Sequence, residues 1–143
     1  METILLVDDE RDILDLAHEM LEGEGYEILD ALNAEEAVRV AAAHAGPIHL
    51  LLTDIVMPGA SGQDLAQLLG LQRPDLRVLY MSSFAIIKGQ RQFAEVENGL
   101  DLGTPIVLKP FTLDRLMEKV HEALAARPAS PFDHAADPWR NVS

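Results

Sequence analysis

The sequence contains no cysteine, which excludes disulfides and thiolate metal sites within the chain. It also has no long apolar run and no charged-then-apolar leader, so we expect no transmembrane span, no signal peptide and a location in the cytoplasm. Basic residues are few, since 11 lysines and arginines stand against 24 aspartates and glutamates, for a net charge of -13. A chain this acidic repels phosphates. We therefore expect no direct contact with nucleic acid, and partners that are basic or carry a metal.

Apolar segments that alternate with helical periodicity predict an α/β fold. With 143 residues and 48% hydrophobic composition, the chain is long enough for one domain with a substantial core. Short apolar segments bounded by turn signals are typical of parallel strands buried under helices, and strand-then-helix units predict a doubly wound sheet with right-handed crossovers. The five predicted strands are TILLV at 3–7, YEILDA at 26–31 (an edge strand), IHLLLTD at 48–54, RVLYM at 77–81 and PIVLK at 105–109.

Apolar stripes and capping residues predict the helices between these strands. Segment 84–104 has some helical spacing, but glycines interrupt it. Segment 127–143 contains three prolines, and we expect an extended or disordered tail that is too short to fold as a DNA-binding unit. We therefore predict one domain at 1–126 followed by the tail. The predicted helices are Ile13 to Leu21, ending at Gly23; an alanine-rich segment opened by a capping box of Asn33 and Glu36 and ending near Ala45; a segment opened by Ser61 and Asp64 and ending before Pro74; and a last segment capped by Thr112.

Polar side chains follow four of the predicted strands. In a parallel sheet the carboxyl ends of the strands share one edge, which is where open α/β sheets bind ligands. Each residue alone has an ordinary interpretation: an aspartate at a strand end is often a solvated turn residue, an acidic pair before a helix often compensates its dipole, and serine ends many strands. Together they predict a site. The residues are Asp8, Asp9 and Glu10 after the first strand, Asp54 at the third, Ser82 and Ser83 at the fourth, and Lys109 at the fifth.

Four motifs over about residues 3–126 resemble the receiver domain of two-component response regulators: LLVDDE, TDIVMPGASGQDL, YMSS and VLKPF. The resemblance implies a flavodoxin-like five-stranded sheet in the order 2-1-3-4-5. It also implies phosphoryl transfer to Asp54 from the phosphohistidine of a histidine kinase or a histidine phosphotransfer protein, with a divalent metal, usually Mg²⁺. The run NGLDLGTPIVLKPF is similar to receivers at the C-terminus of hybrid histidine kinases, so an excised domain and a stand-alone regulator both stay open.

The chemistry of the strand-end residues suits these roles. Clustered carboxylates repel one another, so the site should favour a hard divalent cation. Mg²⁺ keeps several waters and uses few carboxylates, so we expect Asp9 and Asp54 as direct ligands and Asp8 as a ligand through water. By resemblance, the Val56 carbonyl supplies another oxygen. Lys109 and the Ser82 hydroxyl are then expected to hold phosphoryl oxygens, with Asp54 as the attacking carboxylate.

Other functions remain alternatives at this stage. A flavin-binding electron carrier would share the strand order, but the acidic run DDE would repel the flavin phosphate. A phosphorylation-independent interaction module or a phosphate sink would keep the fold without switching a partner. The downstream partner is unknown, and a homodimer stays open. Since Ile106 stands where the family often has an aromatic switch residue, we expect Ser82 to transmit phosphorylation by ordering residues 83–104.

Overall fold

Each segment predicted as a strand forms one, and the five strands make a single parallel sheet in the order β2-β1-β3-β4-β5. The computed structural model describes residues 1–83 and 105–126. The flavodoxin-like strand order implied by the motifs is confirmed. The strands are β1 Thr3–Val7, β2 Glu27–Ala31, β3 Leu50–Asp54, β4 Arg77–Ser83 and β5 Ile106–Lys109, and the helices in the described residues are α1 Arg11–Gly23, α2 Ala34–Ala43, α3 Gly62–Gln72 and α4 Leu113–Ala125.

The helices cover both faces of the sheet. One apolar cluster joins the buried residues of α2 and α3 to one face, and a second cluster joins those of α1 and α4 to the other. Every residue of β1 is buried because this strand lies inside the sheet under both layers. β2 lies at the edge and is partly exposed, as its mixed polar and apolar sequence predicts. This winding brings the carboxyl ends of all strands to one edge.

The helix starts confirm most of the predicted capping. The Ser61 hydroxyl accepts the Asp64 N–H at 3.1 Å, and the Asp64 carboxylate accepts the Ser61 N–H at 3.3 Å, so this capping box is complete. The predicted box at Asn33 is half formed: its side chain accepts the Glu36 N–H at 2.8 Å, but the Glu36 carboxylate accepts the N–H of Leu32 instead. The Glu36 side chain therefore pairs with the residue before the N-cap and not with the N-cap itself, which leaves the box incomplete.

Two elements end at other residues than predicted, and three strands begin later than predicted: β2 at Glu27, β3 at Leu50 and β5 at Ile106. β4 continues to Ser83 because Ser82 and Ser83 pair with Leu108 and Lys109 of β5, a register that local polarity does not reveal. α2 ends at Ala43, two positions before the predicted end near Ala45. The predicted segments 84–104 and 127–143 lie outside the described residues. Across 1–83 and 105–126 there is no helix with the length and hydrophobicity that crossing a membrane requires.

An arginine directly after α3 donates hydrogen bonds to carbonyls at and beyond the end of α2. Arg73, which follows α3, donates from Nη1 to the Gly46 carbonyl and from Nη2 to the carbonyls of Ala41 and His44, each at 3.0 Å. Carbonyls at a helix end have no partner within the helix, so a guanidinium fork that reaches several of them ties α2 to α3.

We expect Arg73→Ala to lower the free energy of unfolding by about 1–3 kcal/mol, because the part-buried carbonyls of Gly46 and His44 lose this donor, while the Ala41 carbonyl keeps the His44 N–H at 3.2 Å. Urea unfolding measures this. The control is Arg39→Ala, which removes an exposed ion pair with Glu35 and should change stability by less than about 0.5 kcal/mol. Equal losses in the two variants would show that the carbonyl contacts of Arg73 contribute nothing.

A histidine joins α1 to β2. His18 Nδ1 lies 2.6 Å from Asp30 Oδ2, and His18 Nε2 lies 3.5 Å from Glu22 Oε2. The hydrogen bond to Asp30 raises the pKa of His18 above its ordinary value of 6.5, although partial burial opposes the shift. The folded state therefore binds the proton more tightly than the unfolded state does.

The stability that this proton adds is fully present below pH 6.5, the unfolded-state pKa, and is lost as pH rises through the folded-state pKa. We expect the stability deficit of His18→Gln to be largest at mildly acidic pH, at under about 1 kcal/mol for so exposed a pair, and to shrink above neutrality. Urea unfolding across pH measures it. The control is His121→Gln, which replaces an exposed histidine of α4 that lies outside this contact. A His18→Gln deficit that grows with pH would contradict the assignment.

Candidate functional site

Three strand ends bring one lysine against three carboxylates. Asp8 follows β1 directly, Asp54 ends β3 and Lys109 ends β5, so the topology alone places them at one edge of the sheet. Lys109 Nζ lies 3.0 Å from Asp8 Oδ2, 3.2 Å from Glu10 Oε1 and 3.3 Å from Asp54 Oδ2. In the described residues, Asp8, Glu10 and Asp54 form a group whose carboxylate oxygens lie within 4.8 Å of one another. Such a group could hold a cation.

The core of this site is withdrawn from solvent. Asp8 is fully buried, while Asp54 and Lys109 are 6% and 7% exposed. Asp8 is also fixed through its neighbours, because its Oδ1 accepts the Glu10 N–H at 2.9 Å and its own N–H donates to the Ala31 carbonyl at 3.2 Å. The side chain of Glu10 is 62% exposed, so it reaches the lysine from the solvent side.

The buried charges shift one another's pKa. Burial raises the pKa of Asp54 to about 6; the charges of Asp8 and Asp9 add to the rise, and Lys109 opposes it. Burial likewise raises the pKa of Asp8, against its hydrogen bonds from the Glu10 N–H and Lys109. Burial alone would lower the pKa of Lys109, but Asp54 and Asp8 outweigh it and the pKa is raised. One ammonium therefore does not balance the acids around it, and the site carries excess negative charge.

The first turn of α3 lies directly against the backbone of Asp54. A Cβ on Gly62 would meet the Asp54 carbonyl oxygen at 2.1 Å, far inside any normal contact. The Gly62 N–H also donates to the Ile55 carbonyl at 2.9 Å. The absence of a side chain at Gly62 thus lets the helix close over the end of β3, which fixes the backbone that carries Asp54.

We expect Gly62→Ala to lower the free energy of unfolding by about 1–3 kcal/mol, because α3 or the end of β3 must shift to relieve the overlap. The amide resonances of Asp54 and Ile55 should move as well. Gly23→Ala is the matched control, since a Cβ there meets nothing within 4 Å and alanine favours the helix by up to about 1 kcal/mol. If Gly62→Ala were as stable as the parent, the close approach of Gly62 to the Asp54 carbonyl would not constrain the structure.

The other predicted site residues surround this group. Asp9 is exposed and is not one of the three grouped carboxylates, although its charge contributes to the raised pKa of Asp54. Val56 is 55% exposed in the turn after β3. Ser82 is 1% exposed, and its Oγ has no hydrogen-bond partner among the residues that the structure describes. The buried hydroxyl therefore has both its donor and its acceptor capacity unused.

The sequence alone determines neither the contact of Glu10 nor the surroundings of Ile106. The sequence indicates Glu10 only as part of the acidic run, and its contact with Lys109 is not predictable because the turn after β1 decides which of the three consecutive acids face the lysine. Ile106 is fully buried in the cluster on the α2 and α3 face. The proposed ordering of residues 83–104 falls, apart from Ser83, outside the described residues.

Comparison with known proteins establishes the family. The model of the response regulator receiver domain matches residues 4–121, so the chain belongs to that family and is a receiver domain of two-component signalling. The response regulator SaeR of Staphylococcus aureus is 28% identical over 125 residues, which cover 87% of this chain and 51% of that protein. The chain thus spans about half the length of the curated relatives it matches.

Solved structures agree with the fold. A response regulator receiver domain protein from Clostridium thermocellum is 25% identical with a TM-score of 0.70, over 87% of this chain and 94% of that one. The response regulator TrrA from Thermotoga maritima, solved in complex with Mg²⁺ and BeF, is 32% identical with a TM-score of 0.67, over 86% and 99%. Family membership, recognised from the four motifs, is confirmed, and the flavin-carrier alternative has no support.

Proposed function

We propose that Asp54 is the residue on which this receiver domain accepts a phosphoryl group, and that the donor is the phosphohistidine of a histidine kinase or a histidine phosphotransfer protein. The observation that carries the proposal is the contact of the Asp54 carboxylate with Lys109 Nζ, at 3.3 Å, where β3 and β5 end at the same edge of the sheet. A nearly buried carboxylate held against an ammonium is poised both to attack and to have the transferred charge balanced.

The transfer needs only the phosphohistidine, the Asp54 carboxylate and a proton from solvent. An Asp54 carboxylate oxygen forms the new O–P bond as the P–N bond of phosphohistidine breaks, and the imidazole leaves with the electron pair and takes up a proton from solvent. Asp54 must be ionised to attack. With a pKa of about 6, Asp54 is mostly ionised near neutral pH, and its carboxylate is more basic than that of an ordinary aspartate.

Lys109 and Ser82 are suited to the oxygens of the transferred group. Phosphoryl transfer depends mainly on positioning and on compensation of the charge spread over these oxygens. Lys109 supplies a permanent positive charge, since its neighbours raise its pKa. The Ser82 hydroxyl is buried on the strand next to that of Asp54 and has no partner in the described part of the chain, so it is available to donate to a phosphoryl oxygen.

The donor set fits Mg²⁺. Carboxylate and carbonyl oxygens are the hard ligands this ion prefers, and three carboxylates around one ammonium leave excess negative charge. We propose that Asp9 and Asp54 bind the ion directly, Asp8 through water, and Val56 through its carbonyl. When bound, Mg²⁺ would neutralise the acids and withdraw charge from the phosphoryl group.

The remaining assignments are also proposals. We infer a cytoplasmic location, and we propose a receiver domain at 1–126 followed by a tail at 127–143. The downstream partner would be a protein that distinguishes the phosphorylated from the unphosphorylated surface, and a second copy of the chain is one such partner.

Acetyl phosphate with Mg²⁺ tests the proposal by intact-mass spectrometry. We expect one added phosphoryl group in the parent, none in Asp54→Asn, and parent-like labelling in Asp75→Asn, which changes an exposed aspartate outside the site. Excess chelator should abolish the labelling. If Asp54→Asn were labelled as readily as the parent, Asp54 would not be the acceptor, and an unlabelled parent would favour a phosphorylation-independent interaction module.

A further inference from the structure

Lys109 has no free hydrogen-bond donor. A lysine ammonium carries three N–H bonds, and Nζ has three carboxylate oxygens within 3.3 Å, one each from Asp8, Glu10 and Asp54. For Lys109 to hold a phosphoryl oxygen on Asp54, it must give up or share at least one of these bonds. The identity of the displaced carboxylate therefore bears on how readily the phosphorylated state forms.

The three contacts differ in how easily they break. Asp8 is fully buried, and losing its cation would leave a desolvated charge, which is costly. Asp54 is the residue that reacts. The Glu10 side chain is 62% exposed, so water replaces its contact at little cost. Glu10 is thus the partner that Lys109 releases most easily.

The Glu10 carboxylate has no capping role that would explain its position. Glu10 is the N-cap of α1, a position where serine, threonine, asparagine and aspartate usually accept a hydrogen bond from the first turn. Its side chain makes no such bond, and only its backbone carbonyl accepts, from the Leu14 N–H at 3.0 Å. The carboxylate contacts Lys109 instead, so it points away from the helix and toward the reacting group.

We infer that Glu10 is a positioning residue that holds Lys109 in the unphosphorylated site and competes with the incoming phosphoryl group for it. The inference rests on Asp54 as the acceptor. The competition has two components: Glu10 occupies a lysine N–H that a phosphoryl oxygen needs, and its negative charge opposes the negative charge of the phosphoryl group. Both components favour the unphosphorylated state, so removal of the Glu10 carboxylate should favour phosphorylation.

The test measures phosphorylation by acetyl phosphate and affinity for beryllofluoride, a stable mimic of the phosphoryl group. Each variant is measured at its own plateau of Mg²⁺, since loss of an acid near the site also weakens cation binding. We expect Glu10→Ala to raise the rate constant and the beryllofluoride affinity by about two- to fivefold, the range of an exposed ion pair. Glu10→Gln, which keeps an acceptor oxygen without the charge, should lie between Glu10→Ala and the parent.

Asp12→Asn is the matched control, because it removes one exposed acid from the first turn of the same helix. It should leave both quantities unchanged. The coupling readout is Lys109→Met: in that background only the charge component remains, so Glu10→Ala should raise beryllofluoride affinity by less than it does in the parent, which a general effect on folding would not produce.

The outcomes distinguish failure of the proposed role of Glu10 from failure of Asp54 as the acceptor. A parent that is labelled at Asp54 while Glu10→Ala reacts no faster overturns the role of Glu10 and leaves the acceptor assignment intact. An equal gain in Asp12→Asn, or a gain in Lys109→Met as large as in the parent, also overturns it, because negative charge alone would then be the cause. A parent that is not labelled at all refutes the acceptor assignment itself, and with it the inference.

Discussion

Lys109→Met should lower the rate of phosphorylation by acetyl phosphate by about 10²-fold or more, as expected when a preorganised donor to developing charge is removed. The same change should lower the free energy of unfolding by about 3 kcal/mol at pH 8 without divalent metal, because Asp8 and Asp54 stay nearly buried without their shared cation. Intact-mass kinetics and urea unfolding measure the two effects.

The stability part of this loss should depend on pH. Asp54, with a pKa of about 6, takes up a proton as pH falls toward 5; the pKa of Asp8 is raised as well, and a protonated carboxyl needs no cation. The deficit of Lys109→Met should therefore shrink on acidification. Lys119→Met is a suitable control: Lys119 is also nearly buried, at 5% exposed, but it pairs with one half-exposed carboxylate, that of Glu122. A larger loss in Lys119→Met than in Lys109→Met would contradict the electrostatic account.

Asp54→Asn should make the protein more stable while removing its proposed function. The folded-state pKa of Asp54 is about 6 against an ordinary 3.8, so the parent loses stability as pH rises between these values, because the unfolded state ionises first. The full shift corresponds to about 3 kcal/mol. An uncharged amide avoids that cost, but it also weakens the contact with Lys109, so we expect a net gain of about 1–2 kcal/mol at pH 7.5.

Urea unfolding in the presence of chelator measures this gain, since a bound divalent ion would stabilise the parent and mask it. Asp75→Asn, at an exposed position, should change the free energy of unfolding by less than about 0.5 kcal/mol. If Asp54→Asn were less stable than the parent above pH 7, the attraction of Lys109 would outweigh the burial of Asp54, and the argument that the site stores unfavourable charge would be wrong.

The fold was predictable because burial on both faces leaves a strong mark on the sequence. TILLV, at 3–7, is apolar at nearly every position, as a strand inside a parallel sheet must be, and the mixed YEILDA, at 26–31, correctly indicated the edge. Periodicity alone gives no strand order, however, since it says which residues are buried and not which strand lies beside which. The order 2-1-3-4-5 came from the family resemblance, and the sheet confirms it.

The site was predictable to the extent that strand ends determine it. Asp8, Asp54 and Lys109 meet because parallel strands end at one edge, a consequence of topology alone. The relative placement of Asp9 and Glu10 follows from the dihedral angles of the turn after β1, which no spacing rule fixes. The sequence also could not predict that the Ser82 hydroxyl has no hydrogen-bond partner among the described residues, because this depends on how its neighbours pack.

The most direct test of the central claim is to locate the phosphoryl group chemically in the unmodified sequence. An acyl phosphate on a carboxylate is reduced by borohydride to an alcohol, so the parent, treated with acetyl phosphate and Mg²⁺ and then reduced, should contain homoserine in place of aspartate at position 54 after peptide mapping. The account predicts this conversion at Asp54 alone among the aspartates of the site, and its absence when chelator is present. Homoserine at Asp8 or Asp9, or a phosphoryl group that survives borohydride, would contradict it.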